Sequence, residues 1–194
     1  MQSADTQDFG TMLSQESLQA LRDNFRDDAL EQPSLAALVA PFPARATPYG
    51  KPYIEALLGV LYADRSQSAL TALERELIIT TTLAVHGHGS GAFLGIHLYW
   101  SLMVGIRPEK LAEQLLVISI YNGIDTLSAS FKTLSALLSG LDTWARHNRA
   151  APEKLKAGAV IGQILSGFAG NTPPPASARK APQRAGGIRK VRQK

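Results

Sequence analysis

The chain has 194 residues, 45% of them hydrophobic and 19% charged, the composition of an ordinary globular protein with one domain and its tails. It contains no cysteine, which excludes disulfides, thiolate metal sites and thiol redox chemistry. The formal charge of +4 hides an asymmetry: residues 171–194 carry seven basic side chains (Arg179, Lys180, Arg184, Arg189, Lys190, Arg192, Lys194) and no acid, so the other 13 face all 16 acids and the body is about −3.

In chain order, Leu18, Leu21, Phe25 and Ala29 lie at helical spacing. Pro33, Pro41, Pro43 and Pro48 then predict a loop over residues 31–50. Ile54, Leu57, Leu58 and Leu61 mark a second helix, ending near Asp64. Thr71-Ala72-Leu73-Glu74 reads as a capping box, in which Thr and Glu satisfy each other's free backbone N–H groups. The helix it opens carries Leu70, Leu73, Leu77, Thr81 and Ala84 on one face and should stop at Gly87 or Gly89.

The next helix carries Phe93, Leu94, His97, Trp100, Ser101 and Val104, and Gly105 stands at its C-terminal end. Pro108 suits the first turn of the following helix, with Glu109 favourable beside it. Leu111, Leu115 and Ile118 line that helix until Asn122-Gly123 interrupts it. Ile124, Leu127, Phe131, Leu134 and Leu138 form the clearest amphipathic stripe, predicted to end at Gly140. Pro152 opens a last helix with Leu155, Ala159, Gly162, Leu165 and Phe168 on one face, and Gly158-x-x-x-Gly162 would permit a close helix contact.

No alternation is long enough for a sheet, so the expected fold is all-α. Residues 1–50 read as an N-terminal helix and Pro-rich loop, 51–170 as the helical domain, and 171–194 as a disordered basic arm. No apolar run reaches the roughly 18 residues of a membrane span. No basic region followed by an apolar one opens the chain, so a cytoplasmic location is expected.

Three of the four histidines fall between His86 and His97. His-x-His at His86 and His88, with His97 as a third ligand, is one way to hold a metal, but no acid in the loop helps. His97 alone reads either as a core histidine with satisfied nitrogens or as a group that exchanges a proton with a bound substrate. Glu76 reads either as a first-turn acid or as the carboxylate that orients His97.

The order of Glu74-Arg75-Glu76-Leu77, a Gly-containing turn, a helix with His97, "GIRPEKLAE" from Gly105 to Glu113, and Tyr121-Asn122-Gly123 resembles the carboxymuconolactone decarboxylase and alkyl hydroperoxidase D family over roughly residues 66–140. The resemblance implies a compact helical domain of the alkyl hydroperoxidase D-like type that assembles as a trimer or hexamer. Hydroperoxidase-like members use a Cys-x-x-Cys pair before the histidine. Aligned on His97, those positions fall near Ser90 and Phe93, so the thiol peroxidase mechanism is chemically excluded here. Decarboxylase-like members act on small carboxylated lactones by acid–base chemistry without a cofactor. The resemblance then places His97 and Glu76 at the catalytic positions. His86, His88, Ser90 and Tyr121 are candidates for substrate contact, and no metal or cofactor is expected. The Glu-to-His separation is longer than in the family, and the extra length falls in His86-Gly87-His88-Gly89-Ser90. Tyr121 reads equally as a packing residue at a helix end.

Two readings follow. One is a cofactor-free lyase acting on a small carboxylate or lactone. The other is a non-catalytic oligomeric scaffold whose basic arm, residues 171–194, binds a polyanion or a protein partner by salt-dependent contacts. The arm has no interleaved aromatics, so base stacking is not suggested.

Overall fold

The computed structural model describes residues 8–25, 52, 69–86 and 91–169, and among them every regular element is helical. The 31–50 loop, the helix on Ile54, Leu57, Leu58 and Leu61, and the basic arm from residue 171 lie outside the described residues. The elements are α1 (Gln15–Asn24), α2 (Ala72–His86), α3 (Gly91–Met103), α4 (Pro108–Asn122), α5 (Ile124–Asn148), a 3₁₀ turn at Pro152–Leu155, and a C-terminal helical segment made of α6 (Ala157–Val160), one π-helical turn (Ile161–Leu165) and α7 (Ser166–Ala169). No described helix is long and apolar enough to cross a membrane.

The helix starts follow local chemistry. At α2 the capping box forms as read: the Thr71 backbone N–H and hydroxyl donate to Glu74 Oε2 at 2.8 and 2.7 Å, and the Glu74 N–H donates to Thr71 Oγ1 at 3.2 Å. At α1, Ser14 is the N-cap and its Oγ accepts from the Ser17 N–H at 3.2 Å. Pro108 occupies the first turn of α4, where its missing N–H costs nothing.

The ends of α3 and α4 need glycine. Gly105 and Gly123 have φ of +108° and +89°, a region that an L side chain enters only with strain. At Gly105 the N–H of Ile106 donates to the Ser101 carbonyl at 3.0 Å and that of Gly105 to the Leu102 carbonyl at 3.3 Å, which is the Schellman arrangement.

α3 is the centre of the fold. Every side chain from Leu94 to Met103 is buried, so this helix is covered all round rather than along the single stripe its spacing suggested. α2, α5 and the C-terminal helical segment pack on it. α1 closes another side: Leu13, Leu18 and Leu21 are fully buried, and Phe25 stands edge-on to Tyr99 and Trp100 at ring-centroid distances of 6.1 and 6.5 Å. That placement ends α1 early. Phe25 is extended and its N–H donates to the Arg22 carbonyl, so α1 ends at Asn24; Ala29 lies outside the described residues.

Two further expectations are corrected. α5 does not end at Gly140 but runs to Asn148, because Leu141 and Ala145 continue the buried face. Gly140 instead provides room for Ile164 of the C-terminal segment; a Cβ there would stand 3.3 Å from the Ile164 Cγ2. Pro152 does not open the last helix but a separate 3₁₀ turn, which the extended Lys156 (φ −67°, ψ 150°) divides from α6.

Candidate active site

The buried face of α2 is rotated from the one its apolar spacing suggests. Its buried residues are Glu76, Thr80 and Ala84, while Leu73 and Leu77 are half-buried and Leu70 is 45% exposed. A carboxylate in a core needs a partner, and Glu76 has one on the facing helix: His97 Nδ1 lies 2.9 Å from Glu76 Oε2. Glu76 is 5% and His97 7% exposed, so the pair is shielded from bulk water.

The geometry defines the roles of the imidazole nitrogens. An ionised carboxylate only accepts hydrogen bonds, so opposite an ionised Glu76 it is Nδ1 that carries a proton, and Nε2 is the nitrogen left to take up or release one. No described side chain bonds Nε2. The Trp100 ring flanks the imidazole at a centroid distance of 6.2 Å and an interplanar angle of 35°. Among the described residues His97 is thus held at one nitrogen and has no partner at the other, an arrangement that suits a positioned general acid or base.

A polar layer surrounds the pair, and most of it is not evident from the sequence. The Thr80 hydroxyl donates to the Glu76 carbonyl at 2.7 Å. From α4, Gln114 Nε2 reaches the Leu77 carbonyl at 2.9 Å and Thr81 Oγ1 at 2.8 Å, which clamps α4 onto α2 one turn from Glu76. Among the described residues, Gln114 Oε1 and Ser101 Oγ are buried without a hydrogen-bond partner, and Ser101 is one helical turn beyond His97. A glutamine inside an amphipathic stretch carries no sequence signal of this kind, and the β-branched Thr80-Thr81-Thr82 run conceals that its hydroxyls bond backwards along the helix.

The other residues singled out by sequence are placed differently. His86 is exposed in the last turn of α2, its Nδ1–H donating to the Thr82 carbonyl at 2.8 Å. Tyr121 is 86% exposed at the end of α4. Among the described residues, no hydrogen bond or ion pair joins either to His97 or Glu76. His88 and Ser90 lie outside the described residues. Among the described residues no group of three or more His, Asp or Glu side chains is arranged to hold a metal ion.

Fold and site together define a cysteine-free helical bundle built around a buried carboxylate–imidazole pair. Residues 52–136 match the model of the carboxymuconolactone decarboxylase family. The matched segment contains Glu76, His97 and Gln114, and it leaves α1 and the chain beyond residue 136 outside. No curated protein and no solved structure gives a significant match to the chain.

Proposed function

We propose that the protein is a cofactor-free acid–base lyase of the carboxymuconolactone decarboxylase type, acting on a small carboxylate or lactone. The buried His97–Glu76 pair carries this reading, with the family match behind it. When a carboxylated lactone loses CO2, the C–C bond to the carboxylate breaks and its electron pair stays on the adjacent carbon. The lactone carbonyl spreads that charge. His97, protonated at both nitrogens, delivers a proton from Nε2 while its Nδ1–H remains bonded to Glu76. Glu76 therefore positions the imidazole, and stabilises it most when it is positive. The chain has no cysteine and so no nucleophile for a thiol peroxidase cycle.

Substrate contact by His86, His88, Ser90 and Tyr121, and a cytoplasmic location, belong to the same reading. So does a homo-trimer or hexamer. Leu116, Val117, Ile120 and Tyr121 on α4 and Ile124 on α5 are 48–86% exposed, a concentration of apolar surface typical of an interface. Its burial against a second copy would explain the exposure of Tyr121.

The experiment is a screen of small carboxylates and lactones for CO2 release or ring isomerisation, with wild type and His97→Asn run in parallel. A rate present in wild type and reduced about 10²-fold or more in the variant supports the reading. A rate unchanged in a folded His97→Asn overturns it.

A further inference from the structure

The outward face of α5 carries a groove of about 600 Å³ that runs from Ile124 to Ser139 and, among the described residues, is lined by this helix alone. Its positions recur at steps of three and four, so they form one stripe about four turns long. The two halves of the stripe differ in chemistry. The N-terminal half carries the large apolar side chains Ile124, Leu127 and Phe131, and the C-terminal half carries Ser135, Ala136 and Ser139. Ile124 is 73% exposed, and Ser128, Lys132, Ala136 and Ser139 are exposed as well. Among the described residues, Ser128 and Lys132 make no ion pair or side-chain hydrogen bond.

That division makes the stripe its own complement. Two copies of α5 laid antiparallel, with the two-fold axis between Phe131 and Lys132, set large against small along the whole length. Ile124 meets the partner's Ser139, Leu127 meets the partner's Ala136, and Ser128 meets the partner's Ser135. At the axis each Phe131 ring lies beside the partner's Lys132, whose stem covers apolar surface while its ammonium sits over the ring. Parallel pairing would set large on large at one end and small on small at the other, leaving a gap. We infer that this stripe is a two-fold interface between copies of this chain, an isologous contact that closes on itself. It lies along α5, apart from the exposed apolar end of α4, and it does not rest on the lyase reading. Where the end of α4 holds three copies together, the α5 contact pairs two trimers into a hexamer; where it does not, the α5 contact makes a dimer.

The test is made on the full chain. Sedimentation equilibrium of wild type is expected to give an even number of copies. Ala136→Arg, at an exposed position, sets a charged side chain against the partner's Leu127 and is expected to halve the assembly mass. The chain has no cysteine, so introduced thiols report the geometry alone. Ile124 and Ser139 are about 22 Å apart along the helix. That is beyond the reach of bismaleimidoethane, both within one chain and between like positions of an antiparallel pair. Ile124→Cys/Ser139→Cys is therefore expected to yield cross-linked dimers, and neither single variant is. An odd number of copies in wild type overturns the proposal; a trimer would leave the α4 contact standing and remove this one. A mass unchanged in Ala136→Arg overturns it too. So does a double-cysteine variant that fails to cross-link, or cross-linking of Ile124→Cys alone.

Discussion

Asp142 on α5 and Ser14 at the start of α1 are 128 positions apart in sequence and directly bonded: the Ser14 backbone N–H donates to Asp142 Oδ1 at 3.1 Å. The same carboxylate pairs with Arg146 one turn on. Burial pushes the Asp142 carboxyl up, but the Ser14 N–H, the Ser17 and Ser14 hydroxyls and the Arg146 charge together outweigh that and hold it below its usual value. A carboxyl depressed by folding stabilises the fold at pH above its unfolded value, about 3.9, and loses that contribution as pH falls through the folded value. Asp142→Asn is therefore expected to cost about 1–3 kcal/mol at pH 7, with the gap to wild type closing below about pH 4. Urea unfolding at pH 7 and pH 3 measures both; a gap as large at pH 3 as at pH 7 would contradict the assignment.

Glu76→Ala leaves a buried imidazole nitrogen without its acceptor and is expected to destabilise by about 1–3 kcal/mol. Glu76→Gln keeps an acceptor oxygen within reach of Nδ1 and should recover much of the stability. If Glu76 positions His97 as proposed, Glu76→Gln still lowers turnover, because the amide cannot stabilise a positive imidazole. Thermal melts and the carboxylate screen, run on the same two variants, separate packing from chemistry.

Gly105→Ala forces a side chain into the φ = +108° position that terminates α3. The expected cost is about 1–2 kcal/mol, or a fall of roughly 2–8 °C in Tm for a domain of this size. No neighbour lies within 4 Å of the added Cβ, so any loss reports backbone strain and not a clash. A calorimetric scan decides it, and an unchanged Tm would mean that the Schellman turn is not what ends the helix.

Arg22→Met tests how α1 holds α3. Arg22 Nε donates to the Leu102 carbonyl at 2.8 Å and Nη2 to the Ile106 carbonyl at 3.3 Å, placing a cation on the C-terminal end of the helix that carries His97, where the helix dipole favours it. Methionine keeps much of the apolar stem and removes the charge and the donors. A loss of about 1–3 kcal/mol is expected, and hydrogen exchange should rise at the end of α3 before it rises elsewhere.

Much of the fold was legible from local signals. The capping box at Thr71–Glu74, Pro108 in the first turn of α4, and glycine at 105 and 123 each act within a few residues, so sequence spacing alone places them. The resemblance over the segment that contains His97 and Glu76 was likewise visible in the order of its pieces, and residues 52–136 match the family model.

Other features were decided only by packing. The apolar period of α2 pointed to Leu70, Leu73 and Leu77, yet α2 buries Glu76 and Thr80, since a carboxylate facing an imidazole across a helix interface satisfies a need that periodicity does not register. Gly140 looked like a helix end and is a point of close approach, because what it accommodates, Ile164, arrives from a segment 24 positions later. The tie from Asp142 to Ser14 and the clamp from Gln114 to Thr81 join residues on different helices through single polar contacts. Sequence determines which helices form and which polar residues they carry; the facing of those helices, and so the meeting of His97 with Glu76, depends on how the assembled core pairs its buried polar groups.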